Sequence, residues 1–253
     1  MARDPEQDSM IYDDTTAAAY DRGRWLRAGD IDRWMAAARV YLPDAGGRVL
    51  DLGAGTGRFT AALARACGAT VVACEPSEAM RAACRAANPG TPVVAGTAQA
   101  VPFQDAAFDA LWASMVLHHV QDLPAFATSA RRVLRAGGHL LVRGGFGPVE
   151  ELPLYRYFPE AWAVELLPLD RITEVLAAAG IERVDHLKVE QVLAESADEF
   201  VERVRTRSLS NLAKLPEDVF QRGLRALERG GVPGRVVEEL DLVVFRRQGP
   251  ALR

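Results

Sequence analysis

The sequence predicts an α/β fold: one mostly parallel sheet of seven strands with helices on both faces. Three observations predict it. Short β-like apolar runs alternate with helical ones from residue 48 to residue 144, the pattern of consecutive βαβ units. A glycine-rich turn, Gly53-Ala54-Gly55-Thr56-Gly57, joins the first strand of that run to its helix. The 253 residues are 49% apolar and 25% charged, a globular composition. Roughly three-quarters of the unfolded surface is buried at this length, so no metal or disulfide staple is needed.

Residues 1–16 are polar and read as a loose arm. Residues 17–42 read as a helix, with Ile31, Trp34, Met35, Ala38 and Leu42 on one face; Pro43 and Gly46-Gly47 stop it. The alternation begins with strand 48–51, helix 59–67 ended by Gly68, and strand 70–74. Helix 77–87 follows with Ser77 as its N-cap. Strands 92–95 and 108–114, helix 123–134 ended by Gly137-Gly138, and strand 139–144 complete it. The texture then changes to a loop marked by Gly147-Pro148 and Pro153 and crowded with Tyr155, Tyr157, Phe158 and Trp162. Helix 172–179, strand 184–193, amphipathic helices 197–207 and 216–229, and strand 236–246 follow. The expected organisation is an N-terminal arm and helix (1–42), an α/β core (43–190), a helical cap inserted between the last two strands (191–235), and the last strand with its tail (236–253).

The net charge of −4 argues against a nucleic-acid partner, which usually requires a basic domain. Cys67, Cys74 and Cys84 form no C-x-x-C pair and have no histidines at metal spacing, so neither a disulfide framework nor a metal site is expected. The polar first ten residues do not read as a signal peptide. No apolar run is long enough to span a bilayer, so no membrane insertion and a cytoplasmic location are expected. Lys188 and Lys214 are the only lysines beside 28 arginines, which reads as codon usage. Monomer and homodimer both stay open.

The sharpest motif is Val49–Gly57, VLDLGAGTG. Glycines let a backbone turn tightly and approach a ligand closely, and ligands of open α/β sheets sit at the carboxyl ends of strands. A dinucleotide fingerprint would place its third glycine at Arg58. Instead Asp51 ends the strand, where its carboxylate repels a pyrophosphate and attracts a ligand with a cationic amino-acid end. Glu75 closes the next strand, where an acid accepts both ribose hydroxyls.

With Gly96–Phe103 (GTAQAVPF) and Phe108–Val120 (FDALWASMVLHHV) in order behind that loop, residues 48–146 resemble the class I S-adenosylmethionine-dependent methyltransferases. The likeness is to their small-molecule, type 11 branch near the ubiquinone/menaquinone enzymes. The resemblance implies a Rossmann-like core, S-adenosyl-L-methionine as cofactor and S-adenosyl-L-homocysteine as product. It implies that Asp51, Gly53, Ala54, Gly55 and Gly57 form the loop around the methionine end, with Ser114 facing it. Glu75 would hold the ribose, Pro76 and Met80 would flank the adenine, and Ala98 and Gln99 would meet its edge. Thr97 stands where many relatives carry Asp. Similar enzymes use the N-terminal arm as a lid, which makes Tyr12 and Tyr20 candidate substrate contacts.

Methyl transfer from a sulfonium needs alignment and exclusion of water, plus a base where the acceptor must lose a proton. His118 and His119, just past the fourth strand, have the residue type for that base. In extended backbone one of the two would face the pocket. Some sugar and natural-product methyltransferases with a similar Leu-His-His segment use a histidine here as base. Arg143, at the end of the fifth strand, could meet an anionic acceptor, and Arg203, Arg205 and Arg207 read as a solvated face or a phosphate site. His139 and His186 read as structural. The expectation is O- or C-methylation of a small molecule in secondary metabolism. N-methylation of an amine, and a cyclase or regulator that keeps the cofactor without methyl transfer, are the alternatives.

Overall fold

A computed structural model describes residues 26–162, 167–207, 210–232 and 234–249. Helix α1 (Ala28–Ala38) buries Trp34, Met35 and Ala38 and runs into a 3-10 turn over Arg39–Tyr41. The core alternation is β1 (Arg48–Leu52), α2 (Thr60–Cys67), β2 (Thr70–Cys74), α3 (Glu78–Ala87), β3 (Val93–Val94), β4 (Phe108–Ser114), α4 (Leu123–Val133) and β5 (Leu134–Gly144). Then come α5 (Leu169–Ala178), β6 (Ile181–Ala194), the helices α6 (Ala197–Arg205), α7 (Ser210–Ala213) and α8 (Glu217–Arg229), and β7 (Val236–Arg247). The seven strands form one sheet in the order β3-β2-β1-β4-β5-β7-β6. Strands β1 to β5 are parallel, and β7 runs antiparallel to both β5 and β6. Among the described residues no helix is long and apolar enough to cross a membrane.

The two faces of the sheet bury different side chains because successive residues of a strand point oppositely. Leu50, Leu111, Leu140 and Phe245 pack on one side with Phe126 of α4 and Ile172 of α5. Val49, Trp112, Leu141 and Val244 pack on the other with Trp34 of α1 and Leu63 of α2. A third apolar cluster joins Leu154 and Phe158 to Phe200 of α6, Leu212 of α7 and Phe220 of α8. Gly223 lets α8 approach there, because a Cβ at that position would lie 2.4 Å from the Phe158 ring.

The structure corrects several boundaries. Helix α4 ends at Val133, and β5 begins at Leu134 rather than after Gly137-Gly138. Leu134 pairs with Phe108, and the register shifts before Ala110 meets His139. A Cβ on Gly138 would sit 2.7 Å from the Asp109 carbonyl, so this glycine marks a close strand approach within an irregular ladder and not a helix stop. Strand β6 begins at Ile181, three residues before the sequence pattern shows it, because β7 pairs with it from Arg247 back to Val236. Strand β3 shrinks to two residues. The basic run is split. Arg205 pairs with Glu202 and Glu228, and Arg207 pairs with Glu217 and lies 3.8 Å over the Phe220 ring, while Arg203 turns to the Leu193 carbonyl.

Candidate active site

A cleft of 1630 Å³ opens at the carboxyl ends of β1, β4 and β5, with Arg203 of α6, residues 214–216, Val219 of α8 and the 147–162 segment as its far wall. Its near wall starts at the glycine turn. The Gly53 and Ala54 N–H groups donate to the Cys74 carbonyl at 2.8 and 3.2 Å, which ties the turn to the end of β2. Gly53, Gly55 and Gly57 all have left-handed φ values, which favour glycine. A Cβ on Gly53 would lie 2.5 Å from Val116 Cγ2, whereas a Cβ on Gly55 would meet nothing within 4 Å. The space over Gly55 belongs to the cleft. Gly57 departs from the expected lining role. Its carbonyl accepts from Asn88 Nδ2 at 3.0 Å, and it packs against Cys84 behind the loop.

Asp51 lines the cleft at 2% exposure, and Thr60 Oγ1 donates to it at 2.7 Å. Burial, with the nearby Glu75 charge adding to it, pushes the Asp51 carboxyl up to about 7 against that hydrogen bond. Glu75 accepts from the Gly55 N–H and the Ser77 N–H, each at 2.9 Å. Burial raises its pKa while those two donors and Arg81 pull it down. Each Glu75 oxygen thus keeps one lone-pair direction for another donor. Pro76 is exposed and Met80 and Ala98 are buried. They flank the β2–β3 side of the turn and lie outside the main cleft wall, as does half-buried Gln99. Thr97 Oγ1 accepts from Ala100 N at 3.1 Å and so closes its own turn.

His118 and His119 both line the cleft, but not as extended backbone would place them. They sit in a 3-10 turn over Leu117–His119, with ring centroids 4.0 Å apart. In such a turn successive side chains are about 120° apart instead of on opposite faces, and both histidines line the cleft, where extended backbone would have turned only one to it. The preceding Met115 holds φ at +57°, a rare conformation for a residue with a side chain, and its N–H donates to the Arg143 carbonyl at 2.8 Å.

Arg143 is neither a surface residue nor a helix cap. It is buried in the cleft wall with its guanidinium 4.6 Å over Trp34 and 5.5 Å from the Phe59 ring. It donates to Ser114 Oγ at 3.2 Å and to Gln191 Oε1 at 2.6 Å. Tyr12 and Tyr20 lie outside the described residues. Of the aromatic group, Trp162 lines the cleft while Phe158 packs in the third cluster.

Sequence reasoning missed three groups. Thr60 bonds Asp51 from nine residues away. Asp241, 1% exposed in the cleft wall, holds the Phe146 N–H, His186 Nε2 and Lys188 Nζ. Burial raises its pKa, but those three partners outweigh it and leave it low. Gln191 meets Trp34, Arg143 and Glu238. The pairings across β6 and β7 leave no local sequence signal.

A methyltransferase-domain family model matches residues 50–142. Over 170 residues the chain is 34% identical to a demethylmenaquinone methyltransferase of Corynebacterium kroppenstedtii, covering 66% of this chain and 72% of that one. It is 38% identical over 134 residues to an uncharacterized methyltransferase of Mycobacterium tuberculosis, covering 53% of this chain and 52% of that relative. The match thus spans about half the length of the latter. A solved 4+2 cyclase superposes with a TM-score of 0.66 at 20% identity, over 98% of this chain and 97% of its own. A phosphoethanolamine N-methyltransferase of Haemonchus contortus, solved with S-adenosylhomocysteine, gives 0.63 at 18% identity, over 96% of this chain and 59% of its own.

Proposed function

Because the chain belongs to the class I S-adenosylmethionine-dependent methyltransferases, we propose that it transfers a methyl group to a small-molecule acceptor bound in the 1630 Å³ cleft. The observation that carries this reading is the buried Asp51 carboxylate near the end of β1 beside the open space over Gly55 in the turn that follows. Asp51 receives the cofactor's ammonium, and Gly53, Ala54 and Gly55 let its chain lie against the backbone, with Ser114 closing that end. Glu75 takes the ribose hydroxyls on its two remaining lone-pair directions. Pro76 and Met80 flank the adenine, Ala98 and Gln99 meet its edge, and Gly57 sets the turn from behind.

S-adenosylmethionine supplies a methyl group already activated on a sulfonium, so the chain's task is alignment and dehydration. Phe146, Leu154, Trp162 and Leu240 give the cleft an apolar lining that excludes water. His118 and His119 stand on the cleft wall where an acceptor proton must leave. Arg143 puts a cation there that favours an anionic acceptor group. This combination favours an oxygen or carbon acid, as found in secondary metabolism, over an amine, which needs a base less.

The test is release of S-adenosylhomocysteine with a panel of phenols, β-dicarbonyl carbon acids and amines. Turnover is expected with the first two, and replacing the responsible histidine by Ala should lower kcat by about 10²–10⁴-fold. Tight cofactor binding without turnover on the panel rejects the transferase reading in favour of a protein that keeps its nucleotide. Full turnover in both His118→Ala and His119→Ala removes the base role.

A further inference from the structure

Gln191 lies on β6, 48 residues from Arg143 in sequence, yet it lines the same cleft at 5% exposure. Its Oε1 accepts from Arg143 Nη2 at 2.6 Å and from Trp34 Nε1 at 3.2 Å, and its Nε2 donates to Glu238 Oε1. This pattern fixes which way the amide points. Two donors converge on one end and a carboxylate sits at the other, so a flipped amide would face donors with donors and acceptor with acceptor. Arg143 in turn lies with its guanidinium carbon 4.6 Å from the centre of the Trp34 ring and donates to Ser114. The chain of contacts therefore runs from Glu238 on β7 through Gln191 on β6 and Arg143 on β5 to Ser114 at the end of β4.

We propose that Gln191 is a positioning residue: held by Glu238, it fixes the Arg143 guanidinium in the orientation that sets Ser114 on the cofactor side of the cleft. The proposal rests on the reading above, in which Ser114 closes the methionine end. A buried planar guanidinium is pre-organised only when its N–H groups have acceptors in its own plane. Gln191 supplies one such acceptor, at 2.6 Å, and Ser114 another, at 3.2 Å. An apolar side chain at 191 would remove the shortest of the hydrogen bonds that orient Arg143, whereas a carboxylate there would keep the acceptor but meet Glu238 as a like charge.

The test is calorimetric binding of S-adenosylhomocysteine to the full chain, with thermal melting alongside. Gln191→Leu should weaken binding about tenfold in protein that still melts cooperatively. Gln191→Glu should also weaken it, and Glu238→Gln alone should be near neutral. The double variant Gln191→Glu with Glu238→Gln swaps donor and acceptor across the pair and should recover binding to within about threefold of the parent. A purely structural role would move the melting temperature and leave the affinity of the folded protein unchanged. Parent-like affinity in Gln191→Leu, or a double variant no better than Gln191→Glu, overturns the proposal. Ser114→Ala and Arg143→Ala separate the two levels: if neither changes affinity, the placement of Ser114 at the cofactor fails first.

Discussion

The two walls of the cleft are built from different materials. The near wall is shaped by backbone hydrogen bonds: the Gly53 and Ala54 N–H groups donate to the Cys74 carbonyl, and behind the wall the Gly55 and Ser77 N–H groups donate to Glu75. The far wall is side chains. Leu154, Phe158, Phe200 and Phe220 form a cluster of their own. It is fastened to the rest through long-range contacts such as Arg27 with Glu199 at 2.6 Å. A backbone-built wall requires particular residues at particular spacings. A side-chain-built wall accepts any set that fills the volume.

The largest effect should fall on the far wall. Phe220 is buried and stacks on Phe158 at 5.7 Å. Phe220→Ala should cost the cluster about 3–5 kcal/mol. If the walls are separate cooperative units, amide exchange in α6 and α8 accelerates while β1 and β4 stay protected. Affinity for S-adenosylhomocysteine then stays within about twofold. Loss of protection in the sheet as well would make the two walls one unit.

The near wall should respond to charge. Asp51→Ala and Glu75→Ala should each weaken cofactor binding at least tenfold, about 1.4 kcal/mol. The Asp51 carboxyl, pushed up to about 7 by burial, adds a pH signature. A raised carboxyl pKa means that ionisation costs the empty fold stability as pH rises from the ordinary carboxylate value through about 7. A ligand ammonium favours the ionised form, so affinity should fall as pH drops below about 7, by up to tenfold per pH unit. Asp51→Asn should flatten that slope. An equal slope in Asp51→Asn would assign the pH dependence to another group.

The same contrast explains what the sequence made legible. Asp51, Gly53, Gly55 and Glu75 lie within 25 residues of one another. Their spacing is dictated by a strand, a turn and a helix, so the strand–turn–helix arrangement that carries them is legible in the sequence. Gln191, Glu238 and Asp241 could not be read in this way, because they reach the site through the long-range pairing of β7 with β5 and β6. Nothing local marks a glutamine in a strand as a partner for Arg143. The histidine pair lines the cleft from a three-residue 3-10 turn, and so short a turn has no period to detect in the sequence. Strand β5 was misread at its start because Gly137-Gly138 signals a helix stop and a close strand approach equally well.

The smallest expected effect is the most pointed test of a backbone-built near wall. Ser77 caps α3, its Oγ accepting from Met80 N at 3.4 Å, while its own N–H donates to Glu75 at 2.9 Å. Ser77→Ala removes the first bond and keeps the second. It should cost about 1 kcal/mol of stability, a fall of roughly 2–4 °C in Tm for a chain of this size. Cofactor affinity should not change, because the group that holds Glu75 is the amide. A loss of more than about threefold in the folded variant would mean that the side chain shapes the site. The placement of Glu75 would then depend on a side chain as the far wall does, not on the backbone amides alone.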